Sequence, residues 1–257
     1  MIGPRAAPRR NSSTLQSVER ACAVLELLAS VDKPQTVTQV SQALEIERTA
    51  THRLLRSLLK TGFVRSDHPG AYSIGTRSLA VGLAYMEQMQ VWQIALPYLM
   101  ELSLEVSDRP WTIVLATFDG KDILLLERLW TRFTPLDTVI EIGGKMPVDR
   151  TAAGWSYLSQ LSDAEAASIV GKKRFEEIRP KIDEARRSEG MAFASDALQP
   201  GVDALSAPIL DSAGRVAALL IVGGPEFHDE LRLDSPIARE ANRRSQLGTC
   251  GSVTTTL

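Results

Sequence analysis

The feature that most constrains the fold of this chain is a pair of short helices that almost touch in sequence. Residues 36–44 carry an apolar stripe at helical spacing behind Thr36, which is a suitable N-cap. A second helix is predicted over residues 47–61, and Gly62 is a suitable C-cap for it. Because only two or three residues join the two helices, they cannot lie antiparallel and must cross steeply. This geometry is typical of a helix-turn-helix.

The flanking segments extend this pair into a winged helix-turn-helix. Residues 16–31 place apolar side chains at helical spacing and stop at the Lys-Pro pair of residues 33–34. After the third helix, the β-prone segments 63–66 and 72–75 flank a Pro-Gly turn and predict a hairpin. Three helices followed by a hairpin form the winged variant, which we assign to residues 14–75.

The outward face of the helix predicted over residues 47–61 is basic. With Leu54 at the centre of the buried side, the opposite side displays Thr49, His52 and Arg56. Arginine can pair with guanine in the major groove, and the N-terminal turns of such a helix reach deepest. The residues expected to contact bases are Arg48, Thr49, His52 and Arg53. The residues expected to contact phosphates are Arg56, Lys60 and, in the wing, Arg65.

Composition supports a binding site for a polyanion in the first part of the chain. Residues 1–75 hold ten Lys or Arg against six Asp or Glu, whereas the remaining 182 residues carry a net charge of −6. Residues 1–13 are predicted to be a disordered basic arm. Only two cysteines occur, Cys22 and Cys250, which fits a reducing cytoplasm, and the absence of a long apolar run predicts no membrane partner. Cys22 lies on the apolar face of the first helix, where a buried thiol is expected.

The rest of the chain predicts a helical linker and a second domain. Residues 76–107 are helical with a broad apolar surface, which predicts a linker and dimerisation element, and Pro97 suggests a break or kink. Residues 108–247 then mix strands and helices, which predicts an α+β fold around an antiparallel sheet, and residues 248–257 are predicted to be a flexible tail. The predicted strands are 111–117, 122–129, 138–144, 191–198, 202–210 and 215–223. The predicted helices are 151–161, 163–171, 174–189 and 229–247.

Several segments, taken in order, resemble the IclR family of bacterial regulators. They are LQSVERACAVLELL, TVTQVSQALEIERTATHRLLRSLLKTGFV, YSIGTRSLAVG, KMPVDRTAAGWSYLSQL and EGMAFASDALQPGVDALSAPILDSAGRVAALLIVGGP. The resemblance covers roughly residues 14–247. It implies a GAF-like α/β effector-binding domain with an antiparallel sheet, joined by a helical linker to the winged helix-turn-helix. It also implies dimers or tetramers on palindromic double-stranded DNA operators, with RNA polymerase as a candidate partner.

The resemblance further implies where a small-molecule effector binds. By motif position, the effector-binding residues are Ala152, Ala153, Gly154, Trp155, Ala194, Ala204, Ile221 and Gly223. Family members that bind small keto acids carry acidic, thiol or hydroxyl side chains at several positions that here are apolar. The change predicts an aromatic or otherwise hydrophobic effector, whose carboxylate is held by backbone N–H groups near Gly154. The segment DRPWTIVLATFDGKDILLLERL resembles the branch that controls breakdown of phenylpropionate-type aromatic acids.

Aromatic side chains near these positions are candidates for stacking on a ligand ring, or for the domain core. They are Trp130, Phe133, Trp155 and Tyr157.

No catalytic motif stands out. Residues 154–158 begin like a nucleophile elbow but lack its second glycine, and residues 143–145 lack the flanking residues of a phosphate-binding loop. We therefore expect no enzymatic activity, no cofactor and no metal site. Two alternatives stay open. One is a cytosolic small-molecule-binding enzyme whose N-terminal helices only pack or dimerise. The other is a DNA-binding regulator whose second domain is only a dimerisation scaffold.

Overall fold

The computed structural model describes residues 14–135, 141–225 and 236–247 and divides into two units, Met1–Gln88 and Met89–Leu257. The described helices of the first unit are α1 (Gln16–Ala29), α2 (Val37–Ala43), α3 (Arg48–Thr61) and α4 (Thr76–Gln88). Its strands β1 (Gln35–Thr36), β2 (Val64–His68) and β3 (Ala71–Ile74) form an antiparallel sheet in the order β1-β3-β2.

Caps at the ends of α2 and α3 confirm the predicted helix pair. The Thr36 side chain accepts a hydrogen bond from the Gln39 N–H at 3.3 Å, and Gln39 Oε1 accepts from the Thr36 N–H at 2.8 Å. Helix α3 ends at Gly62, whose φ of 79° lies in the left-handed region that favours glycine. The short strands β2 and β3 then form the predicted hairpin.

The core of the first unit lies between the helices and the hairpin. Its buried members are Val24, Leu28, Val40, Leu55, Leu58, Val64 and Tyr72. Helix α3 faces this core with Thr51, Leu55 and Leu58, whereas Leu54 is only half-buried. The prediction that centred the buried side on Leu54 is therefore wrong, because packing against α1 selects a stripe further around the helix. Leu55 lies about 100° around the helix from Leu54.

Cys22 also departs from its prediction. Helix α1 buries Val24 and Leu28, and Cys22 is exposed as a free thiol. The apolar surface of α1 is wider than the stripe that the core covers, so spacing alone did not indicate which side is buried.

The second unit is built around one antiparallel sheet, which confirms the α+β class. Its described strands are β4 (Thr112–Phe118), β5 (Asp122–Trp130), β6 (Lys145–Pro147), β7 (Ala192–Ser195), β8 (Val202–Leu210) and β9 (Val216–Pro225). Its described helices are α5 (Gln90–Glu105), α6 (Ala152–Ser159), α7 (Asp163–Val170), α8 (Lys172–Arg187) and α9 (Pro236–Leu247). The strand order is β6-β5-β4-β9-β8-β7, and neighbouring strands run antiparallel.

Helices cover both faces of this sheet. On one face, α5 and α9 pack on side chains such as Ile113, Leu205 and Val222. On the other face, α6 and α8 pack on side chains such as Val114 and Ile221. Because side chains alternate between the two faces of a strand, each central strand supplies both cores.

Two element predictions in this unit are wrong. The first is a break at Pro97, because helix α5 continues through this residue and the interruption after α4 falls at Met89. Packing of α5 against β4 and β5 holds the helix together where the proline lacks an N–H. Residues 141–144 form a turn that leads into β6, and the Gly144 N–H donates to the Glu141 carbonyl at 2.8 Å. Residues 138–140 of that predicted strand lie outside the described residues.

Other predicted boundaries fall partly outside the described residues. The predicted arm 1–13, tail 248–257 and residues 229–235 of the last helix are among them. Strand β7 is shorter than predicted, because the chain turns at Asp196 with a φ of 54°. None of the described helices is long and apolar enough to span a membrane.

Candidate nucleic-acid interface and effector-binding face

A carboxylate sets the start of α3. Glu47 Oε1 accepts a hydrogen bond from the Thr49 N–H and Oε2 accepts one from the Ala50 N–H, each at 2.9 Å. These backbone hydrogen bonds, that from Thr49 first, lower the pKa of Glu47, so its carboxylate is charged at neutral pH. Because its first turn is capped, α3 has a fixed start, and this start determines the directions of the side chains after Glu47.

The six residues of α3 predicted to contact DNA are all exposed, as is Arg65 on β2 of the hairpin. The six are Arg48, Thr49, His52, Arg53, Arg56 and Lys60. Within the described part of the chain, no carboxylate pairs with Arg48, Arg53, Arg56 or Lys60. A helix that carries four unneutralised cations on its open side is suited to a polyanion.

The buried stripe of α3 decides which of these residues points straight outward. Opposite Thr51, Leu55 and Leu58, the helical repeat places Arg53 and Lys60. His52, which the sequence analysis placed on the side opposite Leu54, is therefore turned towards one flank of α3. On that side, Arg48, Thr49 and His52 line a groove of about 270 Å³ with Val37 of α2.

On its other side, α3 borders a second groove with α1. Arg53 and Ser57 line it from α3, and Arg20 lines it from the first half of α1. Sequence analysis did not single out Arg20. The helical periodicity of α1 and α3 read separately cannot show that both arginines line one groove, since this depends on how the two helices pack.

In the second unit, the strand register places the predicted effector-binding residues of β7, β8 and β9 next to one another. Ala194 pairs with Ala204, Ala204 pairs with Gly223, and Ile221 lies two residues from Gly223 on the same strand. Residues opposite each other or two apart share a face, so these four lie on one face of the sheet. Helix α6 contacts β7, β8 and β9, and its own predicted positions Ala152, Ala153 and Gly154 are buried.

The first turn of α6 is engaged by its own cap. Thr151 Oγ1 accepts the Gly154 N–H at 3.1 Å and donates to the Pro147 carbonyl at 2.8 Å. The Trp155 N–H donates to the Thr151 carbonyl at 2.9 Å. The N–H groups of Gly154 and Trp155 are therefore already used within this turn.

Two of the four aromatic candidates belong to the packing of α6. Tyr157 stacks on Phe118 with ring centroids 4.3 Å apart, and burial raises the pKa of the Tyr157 phenol. Trp155 is half-buried and donates Nε1–H to the Asp149 carbonyl at 3.2 Å.

The other two aromatic candidates are exposed. The guanidinium of Arg128 lies 4.9 Å from the Trp130 ring centroid, and that of Arg132 lies 4.6 Å from the Phe133 ring centroid. Thr112 pairs with both Gly223 and Trp130, so Trp130 lies in the same row of the sheet as the predicted effector positions.

Two buried hydroxyls between α6 and the sheet were missed by sequence analysis. Ser156 of α6 and Ser206 of β8 are both 0% exposed, and neither Oγ has a hydrogen-bond partner in the described structure. Ser206 pairs with Ile221 and lies two residues along β8 from Ala204, so it is on the same face of the sheet. A single serine in a helix or strand gives no sequence signal for this position. Among the described residues, no group of three or more His, Cys, Asp or Glu is placed to hold a metal ion.

Comparison with known proteins gives two family matches. The family described as "IclR helix-turn-helix domain" matches residues 17–68, and "Bacterial transcriptional regulator IclR C-terminal" matches residues 83–235. The Pca regulon regulatory protein of Pseudomonas putida is 27% identical over 219 residues, which cover 81% of this chain and 74% of the relative. The transcriptional repressor IclR of Escherichia coli is 26% identical over 233 residues, which cover 86% of this chain and 84% of the relative.

Solved structures share the fold. An IclR transcriptional regulator from Alicyclobacillus acidocaldarius has a TM-score of 0.76 and 19% identity, covering 92% of this chain and 98% of its own. An IclR homologue from Microbacterium hydrocarbonoxydans, complexed with 4-hydroxybenzoate, has a TM-score of 0.74 and 21% identity, covering 91% of this chain and 98% of its own.

Proposed function

Because the chain belongs to the IclR family of bacterial transcriptional regulators, we propose that it binds a palindromic DNA operator as a dimer or tetramer and responds to a small-molecule effector. The observation that carries the proposal is the exposed face of α3, with four cations that no carboxylate neutralises in the described structure. Arg48, Thr49 and His52 in the first turns of α3 are the proposed base contacts. Lys60 and Arg56 in its later turns, with Arg65 in the wing, are the proposed phosphate contacts.

We divide the chain functionally at its helical connection. Residues 14–75 are the proposed DNA-binding domain, residues 76–107 the linker and dimerisation helices, and residues 108–247 the effector-binding domain. Helix α4 supports this role for the linker because no residue in it is buried, while Leu79 and Leu83 are 62% and 51% exposed. Such an apolar helix surface favours contact with a second copy of the chain. The proposed location is the cytoplasm, where the operator lies.

The proposed effector is an aromatic acid or a similar hydrophobic compound. The sheet face beneath α6 presents Ala194, Ala204, Ile221 and Gly223, which offer apolar contact and no side-chain charge. The buried hydroxyls of Ser156 and Ser206 can hydrogen-bond a polar group of a ligand that enters between α6 and β8. The relative named for the pca regulon and the relative bound to 4-hydroxybenzoate support this class of compound.

The experiment that tests the proposal is a fluorescence-anisotropy titration. Labelled duplexes from upstream of the gene and its neighbours are titrated at two salt concentrations, each with a panel of aromatic acids and small keto acids. Tight binding to one duplex that weakens with salt and that one aromatic acid shifts supports both parts of the proposal. Binding that no compound shifts leaves a DNA-binding protein with a scaffold domain. Weak binding that does not depend on sequence contradicts the proposal.

A matched pair of lysine variants assigns the binding to α3. Lys60→Ala removes one exposed cation from α3, and Lys172→Ala removes one exposed cation from α8 in the other unit. We expect Lys60→Ala to weaken binding to all sequences and to reduce the slope of log K against log salt by about one for each protomer that contacts DNA. Lys172→Ala should leave the slope unchanged. Equal slopes for all three proteins would exclude Lys60 as a phosphate contact.

A further inference from the structure

The groove between α1 and α3 carries two guanidinium groups on facing walls. It encloses about 320 Å³, with Gln16, Ser17 and Arg20 on the α1 side and Arg53 and Ser57 on the α3 side. Arg20 is half-buried and Arg53 is exposed. The groove is therefore open to a ligand from outside while one of its cations is held against the protein.

Neither arginine is neutralised by the protein. Within the described residues, Arg20 and Arg53 have no carboxylate partner, whereas Arg174 and Arg186 of α8 each lie within 2.8 Å of an aspartate oxygen. Two like charges that line one small groove repel each other, and an anion between them removes that cost. The charge of this groove thus selects an anionic ligand.

The remaining lining suits an oxyanion. Ser17 and Gln16 offer side-chain donors, and they stand in the first turn of α1, where backbone N–H groups point out of the helix. Leu15 occupies the N-cap of α1 and has no side-chain atom that accepts a hydrogen bond from those groups. Guanidinium groups bind phosphate oxygens in a bidentate manner, which makes a phosphate a better fit than a single-atom anion.

We propose that this groove clamps one phosphate of the DNA backbone between Arg20 and Arg53, an inference that rests on the proposed binding of DNA by α3. A helix with its side chains is about 10–12 Å across and nearly fills a major groove about 12 Å wide, so a phosphate strand runs along each of its flanks. The groove with α1 lies on one flank of α3, and the groove lined by Val37 and His52 lies on the other. The helical repeat places Arg53 on the outward side of α3, but its side chain lines the groove on the α1 flank. Arg53 then sets the position of the protein on the duplex instead of contacting a base, which differs from its sequence-based assignment.

The test is a double-mutant cycle on DNA binding. Arg20→Ala, Arg53→Ala and the double variant are titrated by anisotropy against the operator duplex, a scrambled duplex of equal length and operator duplexes with single base-pair changes. Each single variant should weaken binding to the operator and the scrambled duplex by the same factor, about fivefold to tenfold, and lower the salt slope by about one per protomer. The double variant should lose little more than either single variant, because both arginines hold the same phosphate.

Three results would overturn the clamp. One is an Arg53→Ala variant that loses discrimination at a single base pair, which assigns Arg53 to a base. Another is additive losses in the double variant with a salt slope lowered by about two per protomer, which indicates two separate phosphates. The last is normal binding by both single variants. If the wild-type protein itself binds the operator no better than the scrambled duplex, the proposed function fails, which is a distinct outcome.

Controls separate the clamp from protein stability. Arg187→Ala removes an exposed arginine from α8 in the other unit and should leave the salt slope unchanged. Arg20→Lys keeps the charge but loses bidentate geometry, so it should recover the salt slope more fully than the affinity. Thermal unfolding of each variant checks whether the half-buried Arg20 is required for folding. If it is required, Arg53→Ala alone provides the test, because Arg53 is exposed.

Discussion

The first turn of α6 contains Gly154, where the preceding loop approaches too closely for any side chain to fit. A Cβ atom at Gly154 would lie 1.9 Å from the Val148 carbonyl oxygen and 2.4 Å from its carbon, which is far inside contact distance. The same turn is tied to the preceding loop by Thr151, which bonds both the Gly154 N–H and the Pro147 carbonyl. Because backbone atoms of Val148 form the obstacle, rotation of a side chain cannot relieve the contact. Position 154 therefore controls how closely the loop before α6 approaches the helix.

We expect Gly154→Ala to lower the free energy of unfolding by about 1–3 kcal/mol, since the loop must shift to admit the methyl group. The measurement is urea unfolding followed by circular dichroism. The matched control is Gly82→Ala in α4, where nothing lies within 4 Å of the added Cβ. The control should be neutral or stabilise its helix by up to about 1 kcal/mol. A Gly154→Ala protein as stable as the wild type would show that the loop before α6 can move freely.

At the scale of elements, α4 is a helix whose apolar residues remain exposed in the single chain. Leu79 and Leu83 lie one turn apart and are 62% and 51% exposed, and Tyr85 is 52% exposed. On another side of the same helix, Val81 and Tyr85 line a groove of about 540 Å³. An isolated helix of 13 residues is marginal in water, so α4 is expected to be stabilised by packing in an assembly.

We therefore expect the double substitution Leu79→Lys, Leu83→Lys to shift the protein towards monomers. Each leucine loses about 1.5–3 kcal/mol of burial, and a symmetric dimer loses it from both protomers. Sedimentation velocity measures the change, and operator affinity should fall with it because half-sites are no longer bound together. Gln88→Lys adds charge near the end of the same helix and should leave the dimer intact. A variant that stays dimeric would move the interface elsewhere, for example to the exposed Met100 and Leu104 of α5.

Elements whose ends are set locally were predictable from the sequence. Thr36 and Gly62 mark the limits of α2 and α3 through hydrogen bonds within one turn, so the helix pair and its hairpin follow from neighbouring residues. The strand β8 and its turn to β9 were equally readable, because Asp211 bonds the N–H groups of Ala213 and Arg215.

Features that depend on packing between distant segments were not predictable. The burial of Leu55 instead of Leu54 depends on α1, and the continuity of α5 through Pro97 depends on the sheet. The same reason applies to the candidate sites. The basic residues of α3 were found from its own periodicity, whereas Arg20 and the buried Ser206 acquire their significance only from a neighbouring element.

At the scale of the whole molecule, the positive and negative charges concentrate in different parts of the chain, and these parts have different proposed functions. The positive balance of residues 1–75 accompanies the proposed DNA contacts, and the net charge of −6 belongs to the remaining 182 residues. The two units divide at Gln88, between α4 and α5, so the covalent path between them runs through these two helices. An effector can change DNA binding only if it binds unequally to the forms of the protein that bind DNA well and poorly.

The thermodynamic coupling between effector binding and DNA binding gives a prediction that does not depend on how the two units move. If an aromatic acid changes operator affinity by a factor of about 5–150, saturation with operator must change the affinity for that acid by the same factor. Isothermal titration of the acid into free protein and into the protein–operator complex measures the second factor, and anisotropy measures the first. Ser206→Ala should weaken the acid in both titrations and leave operator affinity without the acid unchanged, since Ser206 is buried in the second unit. Equal affinity of the acid for free and operator-bound protein, with the acid clearly bound, would show that the second unit binds a ligand without regulating the first.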